Sequence, residues 1–415
     1  MGHITRRTFS FAAAGAAFGS LALARASSAA PGAPTTEPAA SPRRDQPSQA
    51  DMRGVWIASV NNGDWPSRAG LSRDQAQAEL RAAFDDAMRW NLNTVFLQVR
   101  PTADAFWSSP HEPWSAWLTG VQGTDPGWDP LAFAVEEAHG RGLELHAWFN
   151  PYRIANHDDP GRLVEDHPAR RNPEWVVSYG GQLYYNPGIP AVRAFVQDAM
   201  MHAAENYDID GVHWDDYFYP YPASGEEFDD ADAFAEYGGD FSDVADWRRN
   251  NVDLLVSEMY QRIQDSRPGI AFGISPFGVW RNRGTDPLGS DTTSLQAYDE
   301  LYADTRGWVT KGWMDYVVPQ LYWNIGLPAA DYAKLVPWWA DVCAGSGVRL
   351  VLGEAMYKVG DPAQPDAWQD PAELSRHLTL AAGYEEVGGH VFFSQSGVAE
   401  DPLGAMSRVY EDHYR

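Results

Sequence analysis

The chain has 415 residues, a formal charge of −26 and a single cysteine. So large an excess of acid excludes nucleic acid and anionic membrane surfaces as partners, because both require a basic face. Cys343 by itself excludes an intramolecular disulfide and a cysteine-built metal site. The 18 Trp, 19 Tyr and 17 Phe exceed what a core requires, and such an excess suits platforms for flat, weakly polar ligands, above all sugars.

Residues 1–30 read as a targeting segment and are set aside from the fold. Arg6-Arg7 within Thr5–Ser10 forms a twin-arginine signature, and the uncharged Ala-rich run Phe11–Ala24 is too short for a permanent membrane anchor. Cleavage after Ala26 or Ala30 is expected, with export by the twin-arginine route to the cell wall or medium. Residues 31–50 are rich in Pro, Ala, Ser and Thr without periodicity and are expected to be a disordered linker. From residue 51 to 415 a two-beat pattern recurs, in which an apolar strand is followed by an amphipathic helix.

Strands are predicted at 52–60, 93–100, 143–150, 209–214, 270–276, 316–322, 349–357 and 389–395. The helices after them are predicted near 72–90, 130–141, 190–206, 243–266, 295–311, 329–344, 371–387 and 403–414, the first with Ser72 as N-cap. Strands alternating with helices imply parallel pairing and right-handed crossovers. Eight such units imply a single closed (β/α)8 TIM barrel, with its chemistry at the C-terminal strand ends. An open doubly wound sheet is the runner-up. No Gly-rich phosphate fingerprint follows any strand, so neither nucleotide nor other cofactor is implied.

The stretch Asp208–Tyr217 organises the rest. As a strand it places Gly211, His213 and Asp215 on one face and Val212 and Trp214 on the other. The latter pair suits packing against helices, which turns Asp215 inward at the C-terminal lip, next to Asp216 and Tyr217. Two acids at the end of an apolar strand mark a site, because buried acids are costly unless paired. Polar residues also gather at the other strand ends. They include Arg100, Asp104 and Glu112 after the second strand; His146, Trp148 and Asn150 on the third; Trp280 after the fifth; Gln320, Tyr322 and Trp323 on the sixth; and Glu354 on the seventh.

Carboxylates, aromatics and amides around one barrel mouth suit cleavage of a glycosidic bond. One acid protonates the leaving oxygen while a second carboxylate stabilises or attacks the developing oxocarbenium carbon. Asp215, kept ionised by His213 or Arg100, is the candidate nucleophile. Glu354, Asp216 and Glu112 are the candidate acids, with Glu354 expected across the mouth. A glycan-binding barrel without catalysis is the second reading. A metal-dependent deacetylase or amidohydrolase using His146, His213 and Asp215 is the third, weakened by the lack of His-x-His clusters.

These residues resemble the glycosyl-hydrolase-like 10 family. The resemblance runs from Met52 to Ser396 through Arg53–Trp56, Asn93–Phe106, Glu112–Ser115, Leu118–Gly123, Ala147–Arg153, Gly211–Tyr217 and Val318–Trp323. It implies an exported (β/α)8 barrel acting on bacterial cell-wall glycan, with peptidoglycan strands free of stem peptides as one substrate, and it carries Glu112 over as a candidate acid. Asp210-Gly-Val-His-Trp-Asp215 is also similar to the strand-four nucleophile motif of α-amylase-type barrels. That similarity favours Asp215 over Asp216, although His213 stands where those barrels have arginine.

Overall fold

The computed structural model describes residues 51–415. The expected signal segment and linker lie outside the described residues. Eight parallel strands close on themselves. We number them β1 (Met52–Ile57), β2 (Thr94–Arg100), β3 (Glu144–Phe149), β4 (Gly211–Trp214), β5 (Ala271–Ile274), β6 (Tyr316–Val317), β7 (Arg349–Glu354) and β8 (Val387–Phe392). Each strand pairs with its neighbours in sequence, and β8 returns to β1. The (β/α)8 expectation therefore holds. The strands are shorter than predicted, β6 most of all; β2 and β4 are trimmed only at their N-terminal ends, and the other six stop short of their predicted C-terminal ends.

Alternation along each strand sorts side chains into two layers. Val95, Leu97 and Val99 face outward into the large core shared with the helices. Phe96, Trp56, Trp148, Tyr316, Val351 and Val391 fill the barrel itself. Interior rings this large need small residues opposite them. A Cβ on Gly211 would sit 2.4 Å from His146 Nδ1, and one on Gly273 would sit 2.0 Å from the Tyr316 ring. Gly211 is thus required by packing, since the interior is close-packed and cannot yield that much.

The helix Arg73–Arg89 begins as predicted. The Ser72 side chain accepts the Gln75 amide, and Gln75 reciprocates at the Ser72 amide. The predicted helix at 295–311 divides into Ala297–Glu300 and Thr305–Lys311, and the C-terminal helical region begins early, at Gln395. The sequence pattern gave no warning of a small antiparallel sheet, Arg153–Ala155, Gln182–Tyr185 and Val176–Tyr179, inserted after β3. Its strands are too short to show a period, and it delivers Arg153 to the mouth. No described helix is long and apolar enough to cross a membrane.

Candidate active site

The inward face of β4 ends at Asp215, which is 5% exposed, and Asp216 follows at 6%. Asp215 Oδ2 accepts Trp148 Nε1 at 3.2 Å and Asn150 Nδ2 at 2.5 Å, and its Oδ1 accepts the Tyr217 amide at 3.3 Å. Asp216 accepts the Tyr221 hydroxyl and a side-chain hydrogen bond from Gln320, whose Nε2 also donates to Ser275 O at 2.9 Å. Arg153 supplies the nearby positive charge. Its guanidinium donates to Pro101 O and lies 4.9 Å from the centre of the Tyr217 ring.

Burial pushes Asp215 up to about 7, and the neighbouring Asp216 adds to the rise. Arg153, the Tyr217 amide and Asn150 oppose it. Asp216 is raised as well, again by burial, against Tyr221, Gln320 and Arg153. Two adjacent carboxyls that both resist charge titrate as a unit, and the pair stays partly protonated near neutral pH. The pair can therefore supply both an acid and a carboxylate.

Aromatic side chains ring the pair. Tyr217 and Tyr221 lie 5.7 Å apart, Tyr221 and Phe277 6.2 Å, and Phe277 and Trp323 5.4 Å. On the opposite flank Tyr322 contacts Tyr357 and Phe393, and Phe393 contacts Trp148. Tyr217, Tyr221, Phe277, Tyr322, Trp323, Tyr357 and Phe393 are all partly exposed. Behind Tyr322, burial pulls Lys358 down to about 8, and its Nζ donates to Tyr322 O at 2.6 Å. The mouth thus gathers Asp215, Asp216, Trp148, Asn150, Tyr217, Gln320, Tyr322 and Trp323 from the sequence-based candidates.

The other candidates lie elsewhere. Glu354 is on the outward face of β7 with Leu350 and Leu352, under the helices. It binds Tyr332 at 2.7 Å, His377 at 2.8 Å and His390 at 3.0 Å. Burial alone would raise it, but the two histidines outweigh burial and hold it down to about 2. It does not lie across the mouth, because its place in the alternation points it away from the barrel.

Glu112 is fully buried in a two-point pair with Arg100, at 2.6 Å and 2.5 Å. Arg100 spends its remaining donors on the Asn150 and Pro151 carbonyls, so it does not reach Asp215. Asp104 is 1% exposed in the same knot, bonded to Thr102 and Ser115, and burial raises it to about 7.

His146 and His213 sit inside the barrel below the mouth, both bonded to the Tyr316 hydroxyl, at 2.7 Å and 3.1 Å. His213 also accepts Trp56 Nε1, and burial holds it neutral. Neither histidine reaches Asp215, which removes the support expected from His213 and the geometry of the metal-hydrolase reading. Among the described residues no group of three His, Cys, Asp or Glu side chains is placed to hold a metal ion. Trp280 is buried among Tyr298, Trp338 and Asp304.

A hollow of about 510 Å3 lies between the loops at 109–124 and 164–171 and shares no lining residue with the aspartate mouth. The site is assigned by its chemistry and not by that hollow. Sequence reasoning missed Arg153, Tyr221 and Gln98 as site residues. Arg153 closes the Ala147–Arg153 block and Gln98 shares the inward face of β2 with Phe96, so alternation could have found Gln98.

A closed parallel barrel with an acid pair in an aromatic mouth defines a glycosidase-type protein. The glycoside hydrolase domain of PgaB (BpsB) from Bordetella bronchiseptica has the same fold. It superposes with a TM-score of 0.54 at 12% identity, covering 88% of this chain and 98% of that one. The sequence matches the family model for Glycosyl hydrolase-like 10 over residues 51–370, and the chain belongs to that family. It is 50% identical to glycosyl hydrolase YngK of Bacillus subtilis over 370 residues, 88% of this chain and 72% of that protein. It is 40% identical to glycosyl hydrolase DigH of Escherichia coli over 398 residues, 90% of each.

Proposed function

We propose that this glycosidase-type barrel is exported and cleaves glycosidic bonds in bacterial cell-wall glycan, including peptidoglycan strands free of stem peptides. The observation that carries this reading is the buried Asp215–Asp216 pair, both members raised, inside a ring of partly exposed aromatics. Three N–H groups converge on Asp215, and N–H donors favour the charged form of a carboxyl. Asp216 accepts the Tyr221 hydroxyl and a side-chain hydrogen bond from Gln320. Asp215, on the inward face at the end of β4, is the carboxylate that stabilises or attacks the oxocarbenium carbon. Asp216 carries the proton that goes to the leaving oxygen. The aromatic faces would hold pyranose rings, and Gln320 and Tyr322 would take their hydroxyls.

Export rests on the Arg6-Arg7 signature and the short apolar run after it. The test uses purified, peptide-free cell-wall glycan. Wild-type protein should release soluble fragments, and Asp215→Asn should release none while still sedimenting with the glycan. Saturable binding by the wild type without any release of fragments would overturn the reading.

A further inference from the structure

Behind Asp215 runs a chain of buried amides whose orientation is fixed at its far end. The amides of Ser59 and Val60 both donate to Gln98 Oε1, each at 2.9 Å. Two backbone N–H groups can converge only on an acceptor, so this atom is the amide oxygen and the Gln98 nitrogen faces the other way. Gln98 Nε2 then donates to Asn150 Oδ1 at 2.6 Å, which leaves Asn150 Nδ2 for Asp215 Oδ2 at 2.5 Å. Ser59, Gln98 and Asn150 are each fully buried. The backbone beside Asn150 is held as well, because Arg100 donates to the Asn150 and Pro151 carbonyls and its own carbonyl accepts the Asn150 amide at 2.9 Å.

We propose that Gln98 is a positioning residue: through Asn150 it makes the contact to Asp215 Oδ2 a permanent N–H donor, which favours the charged form of Asp215 and leaves its Oδ1 to face the substrate. Trp148 Nε1 reinforces the arrangement, since an indole can only donate. Oδ1 takes only the longer contact from the Tyr217 amide. The charged and titratable groups facing Asp215 are Asp216 from its own loop, Arg153 from the inserted sheet, Tyr217 and Tyr221 from the segment after β4, and Tyr322 from the exit of β6. None of them touches Gln98 in this network, so a change at Gln98 reaches Asp215 through Asn150.

The inference deepens the hydrolase reading, and its test does not depend on turnover. In Gln98→Glu, an ionised oxygen replaces Nε2, and the Asn150 amide turns to satisfy it, presenting an oxygen to Asp215. The Asp215 carboxyl, followed by 13C NMR titration, should move up by about one pH unit or more. Gln98→Met keeps the bulk without adding charge and should move it in the same direction by less. Asn150→Ala should reproduce the rise, and Gln98→Glu should add nothing in that background. Glycan turnover in Gln98→Met should fall about tenfold in kcat with KM within about twofold of wild type. The proposal is overturned if Asp215 titrates unchanged in folded Gln98→Met and in Asn150→Ala. It is equally overturned if the Gln98→Glu shift persists in Asn150→Ala, which would mark a direct charge effect. A wild type that releases no glycan fragments would fault the hydrolase reading and leave this titration result standing.

Discussion

Asp215 and Glu354 make an instructive pair. Each ends an apolar barrel strand, each is buried, and the sequence around each looks alike in polarity. Yet Asp215 is pushed up to about 7 while Glu354 is held down to about 2. The difference is which face of the strand each occupies. Asp215 points inward, beside a second carboxyl and toward a mouth ringed by partly exposed aromatics. Glu354 points outward, where His377, His390 and Tyr332 use all its oxygens. One carboxyl is poised to exchange a proton and the other is a structural anion.

The sharpest way to break this contrast is to neutralise each carboxyl in turn. Asp215→Asn should lower turnover on the order of 10² to 10⁴-fold, measured as glycan release. Its fold should survive, because the substitution removes a like-charge contact with Asp216. Glu354→Gln should leave the mouth chemistry nearly intact but cost about 3–5 kcal/mol in denaturant unfolding, since it strands buried His377 and His390. An Asp215→Asn variant with full activity, or a Glu354→Gln variant with native stability and no activity, would reverse the assignment.

Stability against pH sharpens the same contrast, since the two shifts have opposite signs. Glu354 is depressed when folded, so its contribution is present above its ordinary value near 4.5 and is lost as pH falls toward about 2. Asp215 is raised when folded, so its contribution is full below 3.8 and is lost as pH rises through about 7. Thermal melts should therefore show Glu354→Gln abolishing part of the acid-side loss, and Asp215→Asn gaining most, relative to wild type, above pH 7. By the same logic wild-type turnover should decline as pH rises past about 7, where the coupled pair loses its remaining proton. The smallest effect is expected on the rim. Trp323→Ala should raise KM a few-fold through loss of one stacking face, on the order of 1 kcal/mol, with kcat almost unchanged.

Much of the barrel could be read from the chain because local rules settle it. Strand periodicity, the Ser72–Gln75 cap and the order of units all act within a few residues, and all eight strands lie where alternation put them. Asp215 could be read for the same reason, since Gly211, His213 and Asp215 share a face by the two-residue period. The insertion carrying Arg153 could not, because its three short strands take shape only by pairing with one another. Nor could the roles of Glu112 and Arg100, whose mutual pairing satisfies both at a distance of 12 positions and draws each away from Asp215.

By itself the sequence determined the eight-unit barrel and the inward aspartate, which follow from the spacing and order of side chains along the chain, and it carried the motif blocks that resemble the family. Only the tertiary structure decided which acids lie together. It placed Glu354 beneath the helices, sealed Glu112 against Arg100 and left Asp216 beside Asp215. The physical reason is that a carboxyl's chemistry depends on what surrounds it in space, and those neighbours come from strands and helices far apart in the chain.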